Sequence, residues 1–140
     1  MILHHILVSI IISFLIWISH TFHLLDKSPN IIGNWISENK YKRHNLNFSN
    51  DYSCSLIIYD KRTNSKQEIV GTFEIDYNKH PFPLSIRNIP QLNFSLHTII
   101  EMKDVNSLKI ADFSPRWKLR PISFNKNNHT NFKRLIFKNT

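Results

Sequence analysis

Apolar and polar residues alternate along most of the chain beyond residue 30, and a period of two is typical of half-buried β-strands. The clearest alternation runs from Glu68 to Tyr77, where the residues at odd positions are apolar, aromatic or glycine. The segment Ser53–Tyr59 alternates in the same way, and the polar stretch Asp60–Gln67 separates the two. A polar, turn-rich connection between two such segments predicts a β-hairpin.

Similar segments recur up to the C-terminus, and the sequence shows no long helical pattern among them. About eight short strands at regular spacing predict an all-β sandwich or barrel. The predicted strands are Ile32–Ser37, Asn45–Phe48, Ser53–Tyr59, Glu68–Tyr77, Leu84–Ile89, Leu96–Met102, Ser107–Phe113 and Phe132–Phe137.

The N-terminal segment differs from the rest, because its first 25 residues contain no Asp, Glu, Lys or Arg. About 20 apolar residues in a helix span a bilayer core, whereas the apolar part of a signal peptide is shorter. Ile2–Phe22 reaches the first length, and its most apolar part, Ile6–Ile18, matches the second. We therefore predict one apolar helix within residues 1–25, as a transmembrane anchor or a signal segment, with the anchor favoured. Residues 26–30 then form a linker to a single domain at residues 31–140.

The chain carries a net charge of +8, and such a balance favours acidic partners such as nucleic acid or anionic lipid. Cations that follow the apolar segment, among them Lys27 and Arg43, favour a cytoplasmic C-terminus by the positive-inside rule. Cys54 is the only cysteine, which excludes an internal disulfide and a cluster of thiolate metal ligands. Its place on one strand face with Leu56 and Ile58 predicts a buried, unreactive thiol.

Three motifs in this order resemble those of lipocalin-like (calycin-type) small bacterial β-barrel domains. They are the Gly-x-Trp of Gly33 to Trp35, the block Gly71–Asp76 with the strand after it, and a late hairpin that ends near Arg120. The resemblance covers most of residues 31–137. It implies an all-β fold, a small antiparallel meander barrel of about eight strands, with structural roles for Gly33, Trp35, Gly71, Phe73 and Arg134.

In lipocalins the tryptophan of Gly-x-Trp packs at the closed end of the barrel, near a basic residue of the last strand. The resemblance therefore implies that Arg134 lies over Trp35, which is a favourable cation–π arrangement. The chain departs from lipocalins proper because it is shorter, has no disulfide and shows no clear C-terminal helix. A short barrel can be filled by its own side chains, so the resemblance implies a fold more directly than a ligand.

Ser114–Pro121 is the segment with the most distinctive chemistry, because three cations flank an indole between two prolines. Guanidinium groups bind carboxylate or phosphate, and indole stacks on planar groups. We therefore predict a ligand-binding lip formed by Arg116, Trp117, Lys118 and Arg120. The alternative is a corner between a strand and a loop, with Trp117 packed on the sheet and the charges solvated.

No sequence pattern indicates an enzyme, a metal site or a cofactor site. The histidines lack the spacing of metal ligands, and the chain lacks both a nucleophile elbow and a glycine-rich phosphate loop. An enzyme with an unrecognised site would need a cleft that gathers Asp76, His97 or Asp112 beside Arg120.

We therefore expect a non-enzymatic binding or interaction module of the cell envelope, attached to the membrane by a single pass. Its domain would be extracytoplasmic, with a small apolar or anionic ligand. The alternative is a basic module that binds nucleic acid or anionic lipid from the cytoplasmic side, with nucleic acid the less favoured partner. Sidedness stays open at this stage.

Overall fold

Nine β-strands and one short helix make up the computed structural model, which describes residues 10–18, 29–115 and 119–136. The chain divides into two units, Met1–Asn30 and Ile31–Thr140. The first contains a helix over residues 10–18, and most of the predicted anchor segment lies outside the described residues. Within the described ranges, no helix has both the length and the apolar character needed to cross a membrane.

The strands of the second unit are β1 (Gly33–Glu38), β2 (Lys42–Phe48), β3 (Ser53–Asp60), β4 (Ser65–Ile75), β5 (Phe82–Arg87), β6 (Leu96–Asp104), β7 (Ser107–Ala111), β8 (Ser114–Pro115) and β9 (His129–Arg134). Each strand from β1 to β6 pairs antiparallel with the next one along the chain, and β9 pairs with both β7 and β1. Eight strands thus close a meander barrel, and the two-residue β8 pairs only with β6. The predicted fold class is confirmed.

Most predicted strand limits differ from the structure by one to three residues. The strand predicted to begin at Leu84 begins at Phe82 and includes Pro83. The Pro83 carbonyl accepts a hydrogen bond from the Asp76 main chain at 3.1 Å, so the proline nitrogen also faces β4, which has already ended at Ile75. The absent N–H therefore breaks no ladder hydrogen bond. The last strand begins at His129, three residues before the predicted start at Phe132.

The alternation in the sequence sets the barrel core. In β4, Gly71 and Phe73 are buried whereas Thr72 and Glu74 are exposed. Equivalent inward positions on the other strands and on two flanking segments join one cluster of 16 buried hydrophobic residues. Burial of each large apolar side chain contributes about 1.5–3 kcal/mol, so the barrel interior supplies the main stabilisation of the domain.

The loop between β5 and β6 adds to this core at one end of the barrel. Ile89 is buried, and Leu92 and Phe94 pack against the core cluster. The β1–β2 and β3–β4 turns lie at the same end, because antiparallel strands reverse direction at each connection. Side chains of this loop therefore help to fill the barrel where the strands diverge.

The other end of the barrel is organised around Trp35, which is fully buried. Its indole Nε1 donates to the Ile31 carbonyl at 2.8 Å. The Arg134 guanidinium lies 4.2 Å from the centroid of the indole ring, the arrangement that the resemblance implied. Arg134 also donates to the Ile32 carbonyl and, at 2.8 Å, to the Val105 carbonyl.

Both glycines of the chain allow close approaches. Gly33 has a φ of +131°, and a Cβ atom there would lie 2.6 Å from Arg134 Nη1. A Cβ atom on Gly71 would lie 2.5 Å from the Arg87 carbonyl oxygen. Any side chain at Gly33 would be strained and would displace Arg134 from the indole. Gly71 lets the end of β5 cross close to β4.

Residues 119–128 form a segment, here called the strap, that runs along the outer surface of the barrel from β8 toward β9. Arg120 fastens the strap to β5 and β6 through hydrogen bonds. Further along, the Lys109 ammonium of β7 lies 4.4 Å from the centroid of the Phe124 ring. The Asn128 carbonyl accepts from the Asp112 main chain at 2.7 Å. The strap thus covers outward-facing residues of β5 to β7.

Candidate functional site

A pocket of about 360 Å³ lies on the outer surface of the barrel, where β4 and β5 meet the strap. Its position follows from strand register, because Glu74 on β4 is paired with Ser85 on β5 and both side chains point outward. The charged and hydroxyl side chains in its wall are Glu74, Asp76, Lys79, Ser85, Arg87 and Arg120.

Arg120 forms the strap side of this pocket and is held by several acceptors. Its Nη1 donates to the Leu84 carbonyl at 3.0 Å and to the Thr98 carbonyl at 3.2 Å. Its Nη2 donates to the Ser85 hydroxyl at 2.7 Å and lies 3.3 Å from His97 Nδ1. These acceptors carry no charge, so the positive charge of Arg120 is oriented by them without being neutralised.

Burial explains why Ser85 and Arg120 interact so closely. Ser85 points away from the barrel core but is only 4% exposed, because the strap covers it. The same burial lowers the pKa of the Arg120 guanidinium, the Arg87 charge lowers it further, and Glu74 opposes both effects. A partly buried cation needs hydrogen-bond partners, and the Leu84 and Thr98 carbonyls provide them.

Ser85 and His97 form a pair that superficially resembles a nucleophile and its base, with 3.0 Å between Ser85 Oγ and His97 Nδ1. Desolvation lowers the pKa of His97, and the charges of Arg120 and Arg87 lower it further. Arg120 also donates into the Ser85 oxygen, which reduces its nucleophilic character. A weakened base beside a covered hydroxyl favours a positioning role for this pair over catalysis.

The exposed wall of the pocket consists of two ion pairs. Arg87 Nη2 lies 3.0 Å from Glu74 Oε2, and Lys79 Nζ lies 3.4 Å from Asp76 Oδ2. The Arg87 and Lys79 side chains are 57% and 71% exposed. Exposed pairs contribute at most about 1 kcal/mol, so either cation can turn toward another anion at little cost.

Hydrogen bonding and a neighbouring cation favour the charged form of Asp76. The Asn78 main-chain N–H lowers the pKa of Asp76, and Lys79 lowers it further. Three cations, with Arg120 among them, therefore face two carboxylates in the pocket wall, which leaves one positive charge in excess.

The structure divides the predicted ligand-binding residues. Arg120 is in the pocket wall, whereas Arg116, Trp117 and Lys118 lie outside the described residues. Of the groups expected for an enzyme cleft, Asp76 lines the pocket and His97 contacts Arg120. Asp112 is not in the pocket wall but follows β7, where its main-chain N–H bonds to the strap.

Sequence reasoning missed Lys79, Arg87 and Ser85 as site residues. The sequence contained a signal for two of them, because Ser85 and Arg87 occupy outward positions of the predicted strand Leu84–Ile89. Strand alternation shows which face such residues occupy. It does not show that the strap covers the same face, and the pocket depends on that cover.

A second charged surface lies at the barrel end that carries the β1–β2 and β3–β4 turns. The Lys61 main chain donates to the Tyr41 carbonyl at 2.8 Å, which joins the two turns. The exposed Tyr41 ring has the Lys40 ammonium at 5.4 Å and the Arg62 guanidinium at 5.2 Å from its centroid. We call this surface the basic end; its cations are Lys40, Lys42, Arg43, Lys61, Arg62 and Lys66.

Comparisons with known proteins add no assignment. No protein-family model, no curated protein and no solved structure matches the chain. Among the described residues, no group of three or more His, Cys, Asp or Glu side chains is placed to hold a metal ion. The functional argument therefore depends on the geometry of the pocket and of the basic end.

Proposed function

We propose that this chain is a non-enzymatic, lipocalin-like (calycin-type) binding module of the cell envelope, which takes a small anionic ligand in the pocket beside Arg120. In this proposal the N-terminal segment, residues 1–25, attaches the module to the membrane and the barrel lies on the extracytoplasmic side. The observation that carries the proposal is an outer pocket with excess positive charge and a half-buried guanidinium, held by barrel acceptors, in its wall.

The lipocalin-like part of the proposal is supported by the closed antiparallel meander of eight strands. It is also supported by the Trp35 end, where an arginine of the last strand lies over the Gly-x-Trp indole. Barrels of this kind carry ligands either inside or at their surface loops. The fold alone does not select between these two places.

The filling of the barrel favours the outer place. Sixteen buried hydrophobic side chains occupy the interior in one cluster, and the β5–β6 loop adds Leu92 and Phe94 at one end. An apolar ligand inside the barrel would have to displace these side chains, and closely packed interiors resist such changes. We therefore favour the anionic ligand over the apolar one.

The chemistry of the pocket wall is suited to a carboxylate or phosphate. Arg120 is already held by the barrel, so it supplies positive potential without having to be ordered on binding. Arg87 and Lys79 are exposed and weakly paired, so they can form the direct contacts. A charge-assisted hydrogen bond to an anion contributes about 1.5–3 kcal/mol, enough for weak but measurable binding.

An NMR titration of the full-length chain with inorganic phosphate tests the proposal. At low salt we expect amide shifts to concentrate on β4, β5 and the strap. Substitution of Arg87→Gln should weaken phosphate binding about tenfold, because the loss of one charge-assisted hydrogen bond is worth about 1.4 kcal/mol or more. The affinity should fall as salt increases, since part of the site is exposed.

Arg43→Gln is the matched control for this titration. Arg43 pairs with Glu38 at 3.2 Å and its side chain is 48% exposed, so the substitution also breaks an exposed ion pair, but Arg43 lies on β2, outside the pocket wall and the strap. The control should bind phosphate in the pocket as the unmodified chain does. Equal weakening by Arg87→Gln and Arg43→Gln would show that the pocket is not the site.

The second candidate function is a basic module that binds phosphate-rich surfaces, either anionic lipid or nucleic acid, from the cytoplasmic side. The observation in its favour is the basic end, where six cations surround three acidic residues, Glu38, Asp60 and Glu68, and the exposed Tyr41 lies between two cations. Aromatic rings interleaved with cations are common in single-strand nucleic-acid sites and at membrane interfaces.

The steepness of the salt dependence and a pair of substitutions at the basic end separate the two candidates. Binding of the full-length chain to single-stranded DNA, or to anionic vesicles compared with neutral ones, should fall by orders of magnitude between low and moderate salt if several phosphates are contacted. Tyr41→Ala together with Arg62→Gln should weaken that binding and leave phosphate binding in the pocket unchanged. The opposite pattern would support the pocket.

A further inference from the structure

Strand β4 extends beyond its neighbour β5 and leaves a stretch of main chain paired on one side only. Residues Ser65–Thr72 of β4 pair with β3, but pairing with β5 begins only at Thr72. Among the described strands, none pairs with the outer edge of Ser65–Val70. An unpaired strand edge of this kind is a template for another strand.

The hydrogen bonds of β4 show which residues face this free edge. Phe73 donates its main-chain N–H to Tyr52 beside β3, and Asp76 donates to Pro83 on β5. In an antiparallel strand, successive residues direct both main-chain groups to alternate sides. The odd-numbered residues of β4 therefore face β3, and Lys66, Glu68 and Val70 direct their N–H and C=O groups outward.

The edge is kept open by the way β5 ends. Asn88 has a positive φ of 54°, and its side-chain amide donates to the Thr72 hydroxyl at 2.9 Å. The chain thus leaves β4 at Thr72, where the turn to Ile89 crosses close to Gly71. The open edge is therefore a feature of this turn.

We propose that this edge pairs antiparallel with the same edge of a second copy of the chain, with Gln67 facing Gln67 of that copy. In this register Lys66 of each copy lies opposite Glu68 of the other. The Lys66 and Glu68 side chains are 57% and 44% exposed and already lie 3.2 Å apart within one chain. They point to one face of the sheet, so four charges of alternating sign would meet across the pair.

The charges select this register over the next one. Main-chain groups that point outward must face each other, which also permits a register with Glu68 opposite Glu68. Like charges directly opposite each other destabilise a strand pair, and opposite charges stabilise it. The first register therefore forms two hydrogen-bonded pairs, or about four main-chain hydrogen bonds, with every charge opposed by its complement. A second copy offers this complementarity without any other partner.

Cysteine cross-linking of the full-length chain tests both the pairing and its register. Residues that face each other at a non-hydrogen-bonded position have Cα atoms about 4.5 Å apart, which a disulfide can span. Gln67→Cys should therefore form a disulfide dimer under mild oxidation. The native Cys54 does not interfere, because burial raises the pKa of its thiol to about 11.

Two further cysteine variants make the cross-linking result specific. Thr63→Cys lies exposed in the turn of the same hairpin, far from its counterpart in the proposed pair, and should cross-link at least about tenfold more slowly. Glu68→Cys reports the alternative register and should also be slower than Gln67→Cys. Equal rates for Gln67→Cys and Thr63→Cys would overturn the proposal, because random collision or association through residues 1–25 gives that result. Faster cross-linking of Glu68→Cys would overturn the register.

Charge reversal provides an independent test by sedimentation of the full-length chain. Lys66→Glu or Glu68→Lys alone places like charges opposite each other at two positions, and the dimer dissociation constant should rise about tenfold. The double variant with both reversals restores opposite charges in the same register and should restore the dimer. A double variant as weak as the single ones, or single variants with unchanged association, would overturn the proposal.

Discussion

Arg134 and Arg120 use the same chemistry in two different surroundings. Each donates to main-chain carbonyls from separate parts of the barrel: Arg134 to Ile32 and Val105, and Arg120 to Leu84 and Thr98. Arg134 lies over a fully buried indole and closes the Trp35 end. Arg120 belongs to the strap, and one side of it faces a pocket.

The difference shows that the role of an arginine bound to main-chain carbonyls depends on what lies next to its guanidinium group. At the Trp35 end the guanidinium has an aromatic partner, so its charge contributes to the stability of the barrel. At the strap, the acceptors of the Arg120 guanidinium are neutral, and the exposed Lys79 and Arg87 lie in the same pocket wall. The charge of Arg120 is therefore not neutralised by its hydrogen-bond acceptors, and in the proposed function it acts on an anionic ligand. Substitutions at the two places should separate stability from binding.

The largest effect is expected at the Trp35 end. Trp35→Ala removes a fully buried indole and the surface on which Arg134 rests. Truncation of a buried aromatic side chain typically costs about 3–5 kcal/mol, and urea denaturation monitored by circular dichroism measures that loss. A free energy of unfolding within 1 kcal/mol of the unmodified chain, on the scale of a surface substitution, would contradict the assigned role of Trp35.

An intermediate effect is expected when the two arginines are replaced by methionine in parallel. Arg134→Met leaves the Ile32 and Val105 carbonyls without a donor and removes the cation from the indole, at a cost of about 2–3 kcal/mol. Arg120→Met should cost about 1–2 kcal/mol, because it removes hydrogen bonds to carbonyls, whereas Arg134→Met also removes the contact with the indole. Arg120→Met should weaken phosphate binding more strongly. The measurements are urea denaturation and the phosphate titration.

Arg134→Lys is the control for this pair, since it keeps the charge near Trp35 but loses the planar fork. It should be more stable than Arg134→Met and less stable than the unmodified chain. The comparison of the two regions would fail if Arg120→Met proved the more destabilising substitution, or if Arg134→Met weakened phosphate binding as much.

The smallest effect is expected in the pH dependence of stability. Desolvation and the nearby Arg120 and Arg87 charges lower the pKa of His97 in the folded chain, whereas an unperturbed histidine has a pKa of about 6.5. The unfolded chain therefore binds more protons between these two values. His97 thus contributes less stability as pH falls from about 6.5 through the folded pKa, and its full contribution is present above this window.

Arg120→Met sharpens that prediction. Removal of the guanidinium should raise the pKa of His97 toward its ordinary value and reduce this part of the acid destabilisation. His44 is the internal control, because burial and then Lys42 lower its pKa and Arg120 is not among the causes. Histidine titration by NMR measures both groups. An unchanged pKa for His97, or an equal rise for His44, would contradict the assigned contact.

The fold was largely predictable from the sequence because alternation specifies a face at each position. Gly71 and Phe73 were assigned to the inward face of a strand, and both are buried. Cys54 and Leu56 were assigned to one face, and both are buried as well. The two-residue β8 was not predicted, since two residues are too short to show a period.

The candidate site was predictable only in part. Arg120 was singled out by the cations and prolines around it, but its anchoring by Leu84 and Thr98 depends on residues 36 and 22 positions away. No local pattern contains such a contact. Arg87 and Lys79 were not singled out, because an isolated cation on an outward strand position is ordinary in any sheet.

The sequence by itself determined the strands, the inward face of each strand and the buried aromatic residue at the Trp35 end. The reason is that alternate side chains of a strand point to opposite faces, and the face with the apolar side chains is the one that is buried. Tertiary structure alone decided which outward residues would be covered. The strap crosses β5 to β7 before the chain enters β9. It buries the outward-facing Ser85 and places Arg120 in the wall of a pocket. The free edge of β4 likewise follows from where β5 turns away, which depends on a contact between distant strands.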